Sequence, residues 1–360
     1  MEPWSLFGER QCQISDEWTY QGLRTVILEN DLLRVVVLVD RGSDIVEFRY
    51  KPYTVDFLLR RPQGIRAGPL DPLGAGAFID YYSGGWNEIL PNGGGPSSYK
   101  GAELGQHGEI SRIPWRHSIT ENAPERVSVT LSVQPYRIPF ALEKTLTLEA
   151  GKAALFVKER LTNQAGEPLH CMWGQHIAFG NPFLRDGAVI HAPATRFLVH
   201  DAMEGYEPRR FVPGSESVWP DAQAAGGGTL DASRIPAYGA AQAQEMAYLT
   251  GLTDGWYAIT HPSHPIGFGL SFDQDLYRYL WYWQQLGDVA QGYPWWGRLH
   301  TVALEPWTSY PTNGLAQAVE NGTALLLQPG ETVETRLCAV AFSGIRTVSR
   351  ISDAGDVEGQ

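Results

Sequence analysis

The sequence predicts an all-β protein, a large antiparallel β-sandwich with long loops and little helix. Three observations carry that prediction. Residues 127–133 (Val-Ser-Val-Thr-Leu-Ser-Val) place apolar side chains on alternate positions, as do residues 143–149. A period of two turns one face toward a core and the other toward solvent. The 39 Gly and 24 Pro punctuate many short runs of this kind, the pattern of a sandwich. Convincing 3.6-residue periodicity is scarce; residues 43–48 come nearest and are too short for a helix.

Taken in order, strands are expected at 25–28, 33–39 and 45–50. A loop-rich zone follows from 62 to 108, with Gly84-Gly85-Trp86-Asn87-Glu88 and Pro91-Asn92-Gly93-Gly94-Gly95 inside it. Polar and aromatic residues on loops of a rigid scaffold are a usual place for binding. Strands resume at 127–133, 143–149 and 155–159, with Pro135 and Pro139 turning the chain between the first two. Residues 213–244 are rich in Gly, Ala, Ser and Pro, including Gly226-Gly227-Gly228. They read as a long loop excursion from one sandwich, because the strand patterns on either side are alike. Further strands are expected at 247–252, 256–260, 267–272, 301–304, 323–327 and 332–342. No repeat of 20–50 residues is present. The expectation is one domain over 1–360, with its core at 25–342.

Composition narrows the function. The formal net charge of −12 disfavours nucleic acid and anionic membrane as partners. Cys12, Cys171 and Cys338 are odd in number and far apart, which gives neither a disulfide framework nor zinc spacing. The start, Met1-Glu2-Pro3-Trp4, has no basic and apolar leader pattern, and no apolar run reaches membrane-spanning length. A cytoplasmic location is the expectation, and oligomeric state is left open. The 12 Trp, 16 Tyr and 13 Phe offer flat faces suited to the C–H faces of sugars.

Several catalytic signatures are missing. There is no Gly-x-Ser-x-Gly elbow, P-loop or dinucleotide fingerprint, and Gly74-Ala75-Gly76 is too short to be one. His261 and His264 have a spacing that can hold metal, but Pro262 and the lack of a third ligand make a surface loop the better reading.

Three residues stand out instead. His107 lies between Gly105 and Gly108, which permit tight turning and close ligand approach. His176 sits among Trp173, Phe179 and Phe183, and imidazole titrates in the range useful for proton transfer. Glu305 follows the apolar Val302-Ala303-Leu304 and precedes Pro306-Trp307. Desolvation at such a place raises a carboxyl pKa and strengthens the ionised form as a base. Trp281, Trp283, Trp295, Trp296 and Trp307 surround it in sequence, with Gln284, Gln285 and Arg298 as candidate hydroxyl binders.

Five segments together resemble the aldose 1-epimerase (mutarotase) family of the galactose mutarotase-like superfamily. They are residues 34–42, 84–93, Gln106-His107-Gly108-Glu109 with Pro114-Trp115, Gln175-His176-Ile177-Ala178-Phe179, and Ala303-Leu304-Glu305-Pro306-Trp307. The resemblance spans about residues 25–342. It implies a β-supersandwich with a sugar cleft on a concave face, and an isomerase of carbohydrate metabolism. It also implies roles: His107 orients substrate, His176 is the general acid and Glu305 the general base. Trp86 and Trp283 would stack on the sugar ring, and Asn87, Asn92, Gln284 and Arg298 would bind hydroxyls. The substrate would be a free small-molecule sugar, with no cofactor or metal. The alternatives are a non-catalytic carbohydrate-binding protein, or a glycoside hydrolase or lyase on the same scaffold. Three departures stand out. The family's Asn-His-Leu-His-Gly-Gly is reduced here to Gln106-His107-Gly108, and its substrate-binding arginine has only Arg60, Arg61 and Arg66 as candidates. The arginine that the hexose-6-phosphate branch carries after His-Gly is Ser111 here, with Arg112 one step away.

Overall fold

A computed structural model describes residues 11–67, 77–287 and 292–360. Met1–Trp4 and Gly74–Gly76, both weighed above, lie outside the described residues. Two large sheets face each other. Among the described residues the first has 13 strands and the second nine. Along the first the order is Cys12–Ser15, Leu23–Asn30, Leu33–Leu38, Asp44–Tyr50, Trp86–Ile89, Gly174–Phe179, His300–Trp307, Tyr279–Leu286, Ala243–Thr250, Arg196–Val199 and Glu216–Val218, with Thr19–Tyr20 paired to Leu23–Asn30 and Val55–Asp56 to Asp44–Tyr50 off this path. The second runs Arg116–Asn122, Arg126–Val133, Phe140–Glu149, Ala154–Asn163, Thr332–Ser343, Ile266–Phe272, Trp256–Thr260, Ala188–His191 and Arg234–Ile235. Neighbouring strands pair antiparallel throughout these paths. The mainly β, antiparallel sandwich expected from the sequence is the one observed.

The alternation that marked the strands does what the period demands. Val127, Val129 and Leu131 are buried, as are Leu142, Leu146 and Leu148 on the next strand. From the first sheet Val26, Leu28, Val35, Val37 and Phe48 close over them in one continuous apolar cluster. Phe268 is a meeting point, with Phe179 at 5.0 Å and Phe48 at 5.3 Å between ring centroids. Each such large side chain contributes about 1.5–3 kcal/mol by leaving water.

Three strands that carry the site show no alternation: Trp86–Ile89, Gly174–Phe179 and Tyr279–Leu286. Their residues are buried on both faces almost without exception, so the sequence pattern had no solvent side to reveal. Helix is confined to Ala77–Tyr81 and Leu315–Glu320 among the described residues, apart from short 3-10 turns. Residues 213–244 differ from the loop expectation. They contain Glu216–Val218, which extends the first sheet, Arg234–Ile235, which extends the second, and a small hairpin of Asp221–Gln223 with Thr229–Asp231. No helix among the described residues is long and apolar enough to cross a membrane. All three cysteines are buried and unbridged.

A polar seam runs between the sheets behind Gly174–Phe179. Glu88 accepts hydrogen bonds from Trp173 Nε1 at 2.6 Å and Gln175 Nε2 at 2.7 Å, and Lys144 Nζ lies 3.5 Å from its other oxygen. Gln175 and Tyr277 also donate to Glu159, at 3.0 and 3.3 Å. Burial and the neighbouring Glu88 push the Glu159 carboxyl well above the usual range.

Candidate active site

Register sets the site. Gly174 faces Trp307 and Ala178 faces Ala303 across one strand pair, so His176 lies beside Glu305. On one side Asn87 faces His176; on the other Trp281 faces Glu305, and Tyr248 faces Trp281. Cross-strand partners share a face. Asn87, His176, Glu305, Trp281 and Tyr248 therefore form a row across the face of the first sheet that looks away from the second. Above this row is a cavity of about 540 Å³, a usual size for a small-molecule site. Its lining includes His107, His176, Glu305, Tyr82, Trp281, Trp283 and Trp295.

His176 Nε2 is 3.5 Å from Glu305 Oε1, and both side chains are nearly fully buried. Glu305 Oε2 accepts a hydrogen bond from Trp307 Nε1 at 2.9 Å. Desolvation pushes the Glu305 carboxyl up to about 8, against the opposing hydrogen bond from Trp307. Desolvation also drives the His176 imidazole down to about 4. At neutral pH the pair thus holds one proton, and in the open site it rests on Glu305. Both shifts favour the neutral side chains, because burial disfavours two charges in a water-poor pocket.

Trp307 is held flat. It stacks on Trp281 at 4.0 Å with an interplanar angle of 17°. Gly174 lies against its other side, where a Cβ would come within 2.2 Å of the indole. His107 reaches the cavity from a left-handed turn, with φ of 55° followed by 65° at Gly108. Any side chain at Gly108 would meet the Leu90 carbonyl oxygen at 2.4 Å. Arg112 secures the turn, donating to the carbonyl oxygens of Gln106 (3.0 Å) and Gly108. The Gly94 N–H donates to His107 Nδ1 at 3.2 Å, so Nδ1 is bare and Nε2 carries the hydrogen. Burial, then His176 and Arg112, hold this imidazole well below its ordinary pKa. His107 is a neutral hydrogen-bond donor with its ring 5.4 Å from that of His176.

The structure brings together His107, His176, Glu305 and Trp283, and separates the other candidates. Trp86 points to the opposite face and donates to Gln175 Oε1 at 2.7 Å, so it cannot stack on anything in the cavity. Asn87 is buried next to His176 in the row but does not line the cavity. Asn92 is consumed locally: its amide donates to the Gly95 and Gly105 carbonyls and accepts from the Leu315 N–H at 2.7 Å. Gln284 alternates with Trp283, faces the interior and accepts from Arg210 at 3.0 Å. Arg298 is exposed and lies outside the lining. The three arginine candidates are engaged elsewhere. Arg60 pairs with Glu47 and Asp56, and Arg66 donates to the Asp80 carbonyl. Arg61 donates to the carbonyls of Ile79, Tyr82 and Pro294 and sits 5.0 Å from the Trp295 ring, bracing the wall from behind. His261 is buried, its Nδ1 accepting the N–H groups of Ser263 and His264 in a tight turn.

Sequence reasoning missed Phe78, Tyr82, Tyr206, Met203, Gln244 and Met246, all of which line the cavity. Only the aromatic pair Tyr81-Tyr82 ahead of Gly84-Gly85-Trp86 signalled one of them.

Solved structures define the class. The chain has the galactose mutarotase-like fold. It superposes on a provisionally assigned aldose 1-epimerase from Klebsiella pneumoniae with a TM-score of 0.68 and 16% identity, covering 92% of this chain and 83% of that one. A galactose mutarotase-like protein from Clostridium acetobutylicum gives 0.63 and 16%, over 93% and 100%. A galactose mutarotase related enzyme from Lactobacillus acidophilus gives 0.59 and 16%, over 89% and 97%. No curated protein matches the sequence. Within this class the chain belongs to the family described as Domain of unknown function (DUF4432), which matches residues 20–339.

Proposed function

We propose that the chain is an aldose 1-epimerase-like isomerase that interconverts the α and β anomers of a free sugar. The observation that carries this reading is the His176–Glu305 pair, 3.5 Å apart at one face of a sugar-sized cavity. Opening a hemiacetal needs one proton removed from the anomeric hydroxyl and one delivered to the ring oxygen. A pair that holds a single proton serves both needs: one member donates while the other accepts. Closing the ring on the other carbonyl face reverses the transfers. The role assignment implied by the resemblance, with His176 as donor, has the proton cross from Glu305 before the ring opens. His107, neutral with Nε2–H available, hydrogen-bonds a substrate oxygen. Trp283 offers the stacking face. Acid–base assistance of this kind contributes about 10²–10⁴-fold.

A glycoside hydrolase normally needs two carboxyl groups flanking the scissile bond. Among the described residues Glu305 alone supplies one to the cavity. Glu88 lies in the seam between the sheets, and Glu109 accepts the N–H groups of Tyr136 and Arg137. A purely binding role remains distinct in its outcome. NMR exchange spectroscopy on a panel of free aldoses tests the proposal: the wild type should accelerate anomer exchange of at least one sugar. Glu305→Gln should lower that rate by about 100-fold or more while sugar still binds. Binding of both anomers without faster exchange in the wild type would leave a carbohydrate-binding protein instead.

A further inference from the structure

Tyr82 is buried, lines the cavity, and its hydroxyl has no hydrogen-bond partner. Its ring is held from several sides. It stacks on Phe78 at 5.3 Å and meets His176 edge-on at 5.3 Å, Trp295 at 6.1 Å and Trp283 at 6.4 Å. Its backbone carbonyl accepts from Arg61, the same guanidinium that braces Trp295 and Pro294. The side chain is therefore fixed at the wall beside the acid–base pair. A phenylalanine would satisfy all of this packing. The hydroxyl is the one part that packing does not use, and a buried polar group without a partner is costly in the free protein.

We infer that the Tyr82 hydroxyl is a substrate-binding group, donating a hydrogen bond to an oxygen of the sugar next to His176 and Glu305. Burial, with Glu305 and Asp44 nearby, pushes the phenol well above its ordinary pKa, so it stays a donor and exchanges no proton itself. The role complements His107, which approaches the same space from the His-Gly turn. The three arginines considered for sugar binding are tied to carboxylates or carbonyls.

The inference rests on the sugar reading of the cavity, and Tyr82→Phe tests it by readouts that separate the two. Sugar affinity would be followed by the fluorescence of Trp283 and Trp295, anomer exchange by NMR and stability by thermal melting, all on the full chain with the same free aldoses. The expected result is about tenfold weaker binding, as for one neutral hydrogen bond, with slower exchange. The melting temperature should be unchanged or raised, because no internal bond is lost. Unaltered affinity and rate would overturn the inference, and so would a clearly lowered melting temperature, which would mean the hydroxyl has a partner inside the protein. A wild type that binds sugar without exchanging anomers would sink the isomerase reading alone, since the affinity comparison still decides Tyr82. A wild type that binds none of the sugars would overturn both.

Discussion

Glu305 carries its own stability signature. In the unfolded chain its carboxyl ionises near the ordinary 4.5; folded, it keeps its proton to about 8. Between those values the folded state holds the extra proton, so stability is full below the lower pKa and is lost as pH rises through the upper one. Glutamine has no such dependence. Glu305→Gln should match the wild type near pH 4 and exceed it increasingly up to about pH 8, levelling off above that at about 5 kcal/mol. Chemical denaturation at several pH values checks this, and equal pH dependence in both proteins would contradict the buried, protonated carboxyl. His176 has the opposite sign, since its depressed pKa makes folding less favourable as pH falls toward 4.

At the scale of the strand pair, Gly174–Phe179 and His300–Trp307 act as a unit. Their register sets His176 against Glu305, and the missing side chain at Gly174 admits Trp307 flat against the backbone. The indole N–H then favours the ionised form of Glu305. A one-proton pair gives a bell-shaped rate profile with flanks near 4 and 8. Trp307→Phe removes the donor, so the Glu305 proton is held more tightly and the alkaline flank should move to higher pH. Rate–pH profiles of the two proteins measure it, and an unmoved flank would show that Trp307 does not tune Glu305. These strands also explain what the sequence concealed. His107, His176 and Glu305 were legible because a histidine between glycines and a carboxylate after an apolar run are chemically out of place. Trp86 and Gln284 lie outside the cavity because each neighbours a strand position on the cavity side but points to the other face. On a doubly covered strand, side-chain type does not reveal direction.

Across the whole molecule, the seam of Glu88, Lys144, Glu159 and Gln175 joins the two sheets where the site strands pass. Lys144 is the buried cation that offsets Glu88. Lys144→Met should destabilise the fold by about 3 kcal/mol or more, because removing one partner strands the other charge in a dry interior. Urea titration reads this directly, and a neutral result would mean that the Lys144–Glu88 contact contributes nothing to the fold. The sandwich itself was legible from alternation and turn residues, whereas the edge strands within 213–244 were not. Those strands are two or three residues long and mostly polar, so only pairing with a sheet already formed makes them strands.

The three unbridged thiols have a practical consequence. Cys12 lies on an outer strand of the first sheet, Cys171 just ahead of the strand bearing His176, and Cys338 inside the long Thr332–Ser343 strand of the second. Burial raises all three thiol pKa values, Cys171 and Cys338 most clearly. The native chain should thus resist alkylating reagents, which attack the exposed thiolate. Each mass tag gained under mild denaturant then timestamps the opening of one district of the sandwich.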